Sequence, residues 1–447
     1  MADHRVLVAN RGEIAVRVIR AAHALGWEAV AVHSDADADA LWVRLADDAV
    51  HLGPSPASKS YLVADRVVEA AVSSGCDLVH PGYGFLSERS GFAAAVADAG
   101  LVFVGPSADV IARMGDKASA RRTARAADVP VIPGSDEIAD VSEARRLAED
   151  IGYPVLVKAS AGGGGRGIRM VHGPDELAAA VTESKNEARS SFGDEAVYLE
   201  KAVVDARHIE VQVVADTHGH VTHAGERDCS VQRRRQKLLE EAPAADLDPG
   251  VRRQMIKASV RLTREIGYVG AGTIEYLVTA EDFFFMEMNT RIQVEHPISE
   301  QVTGVDLVAE QLRIAAGEEL SFDGDARAPD GVAFEFRINA EDPDNGFFPS
   351  PGTLTRFDLP GGPGVRVETG FVAGGTVPPY YDSLLAKVVV HGRDRDEALA
   401  RSVQALEELR VEGVSTTTDV HLRLVRDSQL RHGPVTTAWL EGFLTSG

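Results

Sequence analysis

The residues with the clearest chemistry lie in one stretch, Glu287-Met-Asn-Thr-Arg-Ile-Gln-Val-Glu-His-Pro297. It follows Asp282-Phe-Phe-Phe-Met286, an aromatic run that reads as a buried strand. Strand side chains alternate faces, so Glu287, Asn289 and Arg291 are expected on one face and Met286 and Met288 on the other. A carboxylate and an amide oxygen are hard ligands of the kind Mg²⁺ takes, together with waters and substrate phosphates. A guanidinium can fork onto a planar oxyanion. Glu295, four residues beyond Arg291, is free to act as a base. His296-Pro297 is expected to stop the strand, because proline cannot donate to a ladder. A solvated edge strand would also carry charges, but it poorly explains charge directly behind three phenylalanines.

Other stretches carry complementary groups. Gly270–Val278 reads as a strand, and its Glu275 can be a second carboxylate across from Glu287, with one Mg²⁺ or two between them. Pro154–Ser160 reads as a strand with a single charge, Lys158, at its exit. Ala161-Gly-Gly-Gly-Gly-Arg-Gly167 follows, and then the strand Ile168–Val171. A strand–loop–strand is not a Walker A loop, which feeds a helix. It reads as a flexible hairpin tip, Gly162, Gly163, Gly164 and Gly165, closing over phosphates with its N–H groups; a disordered linker is disfavoured by the strands on both sides. Pro81–Glu88 sits at the C-terminal end of a predicted strand, where ligands of open α/β sheets bind; a plain turn is an equal alternative. Lys117 falls in a predicted helix containing Met114-Gly-Asp-Lys117 and would otherwise be a solvated surface residue.

In the strand Ala196–Val204, Glu200-Lys-Ala-Val203 can offer backbone edges and an apolar contact to a purine. His208–Val214 alternates, with a polar face of His208, Glu210 and Gln212, and Thr217–His220 reads as a hairpin turn with exposed His218 and His220. Glu226–Pro243 is too charged for a core. It reads as a solvated arm or, with phosphates nearby, as a cationic wall whose Lys237 faces a carboxylated or phosphorylated intermediate. Arg337 follows Glu335 on the same strand face, and an ion pair between them is a fair expectation.

The elements that must position these groups begin with a βαβ unit. Arg5–Ala9 is a strand, Ile14, Val18, Ala21, Ala22 and Leu25 recur at helical spacing, and Trp27–Val32 is the next strand, so the opening sheet should be parallel. No G-x-G-x-x-G follows the first strand. Prolines at 130 and 133 and the acidic, glycine-containing Ser321–Gly331 mark boundaries, and strands dominate after 331. At 447 residues the chain suits about three domains. Charged groups sum to 46 − 68 = −22, which argues against nucleic acid and anionic membrane surfaces as partners. Two cysteines make no disulfide framework. No apolar run reaches membrane-spanning length, and the N-terminus lacks a signal peptide's pattern. The expectation is a soluble, cytoplasmic, multidomain protein.

Taken in order, Ala9-Asn-Arg-Gly-Glu-Ile-Ala15, His80–Glu88, Met114–Lys117, Lys158-Ala-Ser with its glycine loop, Glu226-Arg-Asp-Cys-Ser230, Glu287–Pro297 and Arg337-Ile-Asn-Ala-Glu-Asp342 resemble the biotin carboxylase component of biotin-dependent acyl-CoA carboxylases, within the ATP-grasp ligases. The likeness runs from about Arg5 to Leu440. It implies a mixed α/β and α+β fold of three parts: a parallel α/β domain over 1–115, an ATP-grasp domain over 116–320 with its glycine-loop lid at about 131–204, and a strand-rich C-terminal domain over 331–445.

It also implies a two-step reaction, in which ATP phosphorylates bicarbonate to carboxyphosphate and the CO₂ released from it is captured by N1′ of carrier-bound biotin. Carried over residue by residue, Glu295 is the base, and Arg291 holds bicarbonate with Gln293 and the backbone around Val294. Glu275, Glu287 and Asn289 carry Mg²⁺ or Mn²⁺. Lys117, Lys158, His208, Gln232 and Lys237 lie near the nucleotide, and Glu200, Lys201 and Val203 match the adenine segment. Arg337 stabilises the biotin ureido oxygen, and Tyr83 lies beside the biotin pocket.

There are departures. Arg235 stands where the family has histidine or asparagine, and Phe336 replaces a smaller residue beside Arg337. Arg20 and Arg366 match a known dimer contact, whereas Ala24 and Pro363 do not match its glutamate and phenylalanine. A homodimer is expected, with the biotin carboxyl carrier protein and carboxyltransferase on other chains, since no Ala-Met-Lys-Met site is present. Two other readings fit part of the pattern. A different ATP-grasp ligase would lack the Arg337 strand and the Tyr83 loop, and a regulatory nucleotide-binding protein would have lost a base or metal ligand.

Overall fold

The computed structural model describes residues 3–159, 168–192, 195–325 and 327–445. The opening βαβ pattern forms a five-stranded parallel sheet in the order Asp48–Gly53, Glu28–Ser34, Arg5–Val8, Leu78–His80, Val102–Phe103. Alternation sends Val6 and Val8 into one apolar cluster with helix Gly12–Ala24, and Leu7 and Ala9 into another with helices Ala64–Ser73 and Ser90–Asp98. The sheet is therefore covered on both faces, as parallel sheets generally are.

A four-stranded antiparallel sheet follows, ordered Gly134–Glu137, Val197–Lys201, Val155–Ala159, Ile168–Val171, with helices Val141–Ile151 and Pro174–Phe192 packed on it. The second helix has no counterpart among the expected elements. Lys158 pairs with Ile168 in register. The glycines expected to form the lid, Gly162 to Gly165, lie outside the described residues.

The third sheet is the largest. Its eight strands run Phe283–Asn289, Gly270–Val278, Arg207–Ala215, Val221–Arg233, Gln236–Ala242, Val332–Asn339, Leu384–Gly392, Val365–Thr369, every neighbour antiparallel. The first five strands precede the segment 321–331 and the last three follow it, so the ladder crosses that boundary without a break: Leu239 pairs with Phe336 and Glu240 with Glu335. Phe334, Phe336 and Ile338 face an apolar cluster beneath helices Arg395–Glu408 and Thr418–Arg426. Glu335 and Arg337 face the other way.

Four expectations are corrected. Glu226–Pro243 is neither a solvated arm nor outside the core: it forms two interior strands with Arg227 and Glu240 fully buried, because their charges are paired across the sheet. The strand ends at Asn289, so Arg291 and Glu295 lie beyond it, and His296-Pro297 opens the helix His296–Thr303. Proline fits there because its missing N–H would have no helical acceptor. Met114–Lys117 spans a break between helices Ala108–Gly115 and Lys117–Ala126, where Asp116 caps the second by accepting from the Ser119 N–H. Finally, Arg337 pairs with Glu240 and Glu295, whereas Glu335 lies buried without a hydrogen-bond partner.

Candidate active site

Two neighbouring strands of the large sheet, and the turn after its edge strand, converge on Lys237. Its Nζ donates to Glu210 at 2.6 Å, Glu275 at 3.1 Å and Glu295 at 2.5 Å. Glu210 and Glu275 stand directly opposite on neighbouring strands, and Glu275 opposes Glu287 on the next. The two ends of this line extend it into one network. Asn289 donates to Glu275 at 2.8 Å, and Arg291 donates to Asn289 at 3.0 Å. At the other end Arg337 donates to Glu295 at 2.9 Å and to Glu240 at 2.6 Å.

Arg227, fully buried, supports the floor by donating to Glu210, Gln212, Thr273, Gln293 and Ser299. Gln293 in turn donates to Glu275 at 2.8 Å. Arg291 also reaches Glu88 at 3.0 Å, which ties it to the parallel-sheet domain. His208 Nε2 lies 2.9 Å from Glu275.

The electrostatics follow from this crowding. Burial alone would raise Glu295, but Lys237, Arg337 and Arg227 hold it well below the usual carboxylate range. Burial is likewise overridden at Glu275, by Lys237 and then His208. Lys237 is pushed up against its desolvation by Cys229, Glu210, Glu275 and Glu295. Glu287 behaves oppositely. Desolvation and then the neighbouring Glu275 charge raise it, and it has no hydrogen bond or ion pair among the described residues. Within the oxygen set Glu275, Glu287 and Asn289, Glu275 already accepts from Lys237 and the Asn289 oxygen from Arg291, so Glu287 is the carboxylate whose charge a divalent cation would relieve. His208, Glu210 and Glu275 form a second close group, but Lys237 already bonds two of its carboxylates.

The remaining expected residues fall in two places. Tyr83 donates its hydroxyl to Glu13 near the network. Gly82 before it has φ +62° and faces Asn10, whose amide donates to the Pro81 and Tyr83 carbonyls at 2.7 Å each, so this loop is a built turn. Val294 offers its carbonyl to Lys387 at 2.9 Å. Gln232 pairs with Lys237 in register. Lys117 is exposed. In the four-stranded sheet, Lys158 pairs with Glu200, which also accepts from Arg121 at 2.8 Å. Lys201 is spent on the Gly152 and Tyr153 carbonyls, and Val203 is half-buried.

Among the departures, Arg235 is exposed with φ +69°. Phe336 packs beside Phe334 and His421 on the face away from the Arg337 side chain. Arg366 pairs within the chain with Glu300 at 2.8 Å and Glu368 at 2.7 Å. The expected site set omitted Arg227, Glu210, Glu240, Glu88, Glu13 and Lys387. Glu210 is visible as a polar residue on a predicted strand and Arg227 falls in the stretch read as an arm or a cationic wall, but most of their partners arrive from other elements of the fold.

An antiparallel sheet bearing paired carboxylates and a lysine, beside a smaller four-stranded antiparallel sheet covered by two helices, fits an ATP-dependent ligase of the ATP-grasp class. Family matches agree: residues 2–111 match "Biotin carboxylase, N-terminal domain", 116–322 "Carbamoyl-phosphate synthase L chain, ATP binding domain", and 335–442 "Biotin carboxylase C-terminal domain". The chain is 49% identical over 446 residues to biotin carboxylase 1 of Bacillus subtilis, covering 99% of each. It is 48% identical to a pyruvate carboxylase subunit of Methanothermobacter thermautotrophicus, covering 98% of this chain and 90% of that one. The biotin carboxylase domain dimer of Hydrogenobacter thermophilus 2-oxoglutarate carboxylase, solved with MgADP, ADP and bicarbonate, superposes with a TM-score of 0.90 at 46% identity, covering 98% and 97%. The chain belongs to the biotin carboxylase family, ATP-dependent ligases that carboxylate biotin. No helix among the described residues is long and apolar enough to cross a membrane.

Proposed function

We propose that this chain carboxylates biotin on a separate carrier protein, through carboxyphosphate, as the biotin carboxylase component of an acyl-CoA carboxylase. The observation that carries the reading is the unbroken line Arg291–Asn289–Glu275–Lys237–Glu295–Arg337. The reading assigns to this line, side by side, a bicarbonate anchor, a metal-type oxygen set, a phosphate-facing lysine, a base and an oxyanion donor. ATP would bind with its phosphates toward Lys237, Lys117, Lys158 and the glycines 162–165. Its adenine would lie along Glu200–Val203, with His208 and Gln232 beside the nucleotide.

Glu275, Glu287 and Asn289 would hold Mg²⁺ or Mn²⁺, which neutralises charge on the transferring phosphoryl group. Arg291, with Gln293 and the Val294 backbone, orients bicarbonate. A bicarbonate oxygen attacks the γ-phosphorus, the bond to ADP breaks, and Glu295 takes the proton. In the resting structure Glu295 is committed to Lys237 and Arg337, so it acts as a base only as those cations turn to the incoming anions. Carboxyphosphate then breaks down to phosphate and CO₂; the released phosphate takes the N1′ proton of biotin, and N1′ forms its bond to the CO₂ while Arg337 stabilises the ureido oxygen. Tyr83 lines that pocket.

Separate carrier and carboxyltransferase chains are supported by a relative that is itself named as one subunit of its enzyme. A homodimer is supported by the dimer of the Hydrogenobacter domain. A cytoplasmic location fits the acidic, disulfide-free composition. Relatives named for pyruvate and 2-oxoglutarate carboxylases make a keto acid the competing final acceptor. The test is ADP release from purified protein with MgATP, bicarbonate and free biotin. It is followed by assays of the complex co-purified from its native host with acetyl-CoA, propionyl-CoA, pyruvate and 2-oxoglutarate. No bicarbonate- and biotin-dependent turnover removes the proposed chemistry; turnover of a keto acid instead of a thioester removes the acyl-CoA assignment alone.

A further inference from the structure

Lys387 is fully buried on the strand Leu384–Gly392, directly opposite Arg337 in the ladder. Taking an ammonium out of water is expensive, and a buried ion pair often stabilises a fold no better than apolar residues of similar shape would. Its bonding suggests another purpose. The Lys387 Nζ donates to the Val294 carbonyl at 2.9 Å and lies 3.0 Å from the Glu13 carboxylate. That carbonyl belongs to the peptide leading into Glu295. The preceding carbonyl, of Gln293, is held by the His296 ring at 2.7 Å. The turn carrying the base is therefore fixed at two successive carbonyls, and one of the two anchors is an ammonium from another part of the chain.

Glu13 supplies the second half. It lies in the first turn of helix Gly12–Ala24, buried, and its other oxygen accepts from the Tyr83 hydroxyl. A single carboxylate thus contacts both the residue beside the expected biotin pocket and the lysine that holds the base turn. The close fit extends to the backbone: a Cβ on Gly370 would sit 2.6 Å from the Gly12 carbonyl carbon and 2.9 Å from the Glu13 nitrogen.

We propose that Glu13 and Lys387 are positioning residues that clamp the Tyr83 loop and the Val294–Glu295 turn to one another, so that the biotin pocket and the bicarbonate base keep a fixed spacing. Neither group touches the reacting atoms; each acts through the residue it holds. The inference rests on the carboxylation reading above and adds two residues to it.

The test compares Lys387→Met, Lys387→Ala and Glu13→Gln in the full chain. ATP affinity is measured by titration without bicarbonate, and kcat/KM for bicarbonate and for free biotin by steady-state ADP release. Displacing a base or a reactant by about an ångström can cost on the order of a hundredfold in rate, so kcat/KM for both substrates is expected to fall about tenfold or more, with ATP affinity within about twofold of wild type. Ethylammonium is expected to restore part of the activity of Lys387→Ala, because the space beside Glu13 and Tyr83 is an open cavity of about 90 Å³. Should the lysine variants fail to fold, Glu13→Gln decides, and failure of both to fold assigns the pair to folding and overturns the proposal. Wild-type kcat/KM values in a folded variant, or ATP affinity lost in parallel with the other two, also overturn it. An inactive wild type overturns the carboxylation reading itself, whereas an active wild type with unaffected variants overturns only the clamp.

Discussion

Glu295→Gln separates the proposed base from the scaffold around it. The amide is isosteric, so no cavity forms. Lys237 keeps Glu210 at 2.6 Å and Glu275 at 3.1 Å, and Arg337 keeps Glu240 at 2.6 Å. Neither cation is left without a carboxylate, so the stability loss should stay near about 1–3 kcal/mol, below the roughly 3–5 kcal/mol of breaking an isolated buried pair. A positioned base is worth about 10²–10⁴ in rate, or roughly 3–5 kcal/mol of barrier at 1.36 kcal/mol per decade. Bicarbonate-dependent ADP release should fall by that factor while ATP binding, titrated without bicarbonate, is retained.

The same variant has a pH signature. Folding lowers the Glu295 pKa, so its stabilising contribution is complete above the unfolded carboxylate value of about 4.3 and is lost as pH falls through the lower native value. Denaturant titrations of wild type and variant should therefore differ most above about pH 4.3 and converge in stronger acid. A variant turning over bicarbonate and ATP at the wild-type rate refutes the base assignment. Loss of ATP affinity equal to the loss of rate would move Glu295 to nucleotide binding.

Three further outcomes are expected. Arg337→Ala should reduce biotin carboxylation, followed with labelled bicarbonate, by about 10²-fold, more than it reduces bicarbonate-dependent ATP cleavage; equal losses would remove its oxyanion role. Glu287→Gln should shift the Mg²⁺ dependence of ADP release to higher concentration by about tenfold while thermal stability holds or rises, since a carboxylate raised by burial and by Glu275 is removed; an unchanged Mg²⁺ curve would take Glu287 out of the metal set. Gly82→Ala should cost about 1–2 kcal/mol in denaturant titration, because the residue has φ +62° and its Cβ would meet the Asn10 amide nitrogen at 2.8 Å; an unaffected midpoint would show that the loop rearranges freely.

Much of this architecture is legible in the chain. The strands Gly270–Val278 and Ile168–Val171 fall on the predicted residues, and strands dominate after 331 as expected, since apolar alternation reports a covered face directly. Glu275 and Glu287 face each other as expected. What stays hidden is partnership. Glu226–Pro243 looks too charged to be interior because the groups that neutralise it, such as Glu210, Glu295 and Arg337, arrive from other strands and turns. For the same reason proximity along a strand suggested Glu335 for Arg337, when the cross-strand Glu240 and the distant Glu295 hold it. Pro297 was ambiguous locally: it ends strands and begins helices, and only the packing of Ile298 and Val302 against the sheet decides for the helix.

The ladder joining Gln236–Ala242 to Val332–Asn339 sets a rule for recombination. A chimera spliced within 321–331 would exchange strands that are already hydrogen-bonded to what remains, and would have to match Leu239 with Phe336 and Glu240 with Glu335 across its seam. A fragment ending there would present a bare interior strand as a new edge, inviting self-association. The part of the chain after 331 is thus a poor cassette for grafting, although by chain order alone it looks like a detachable module.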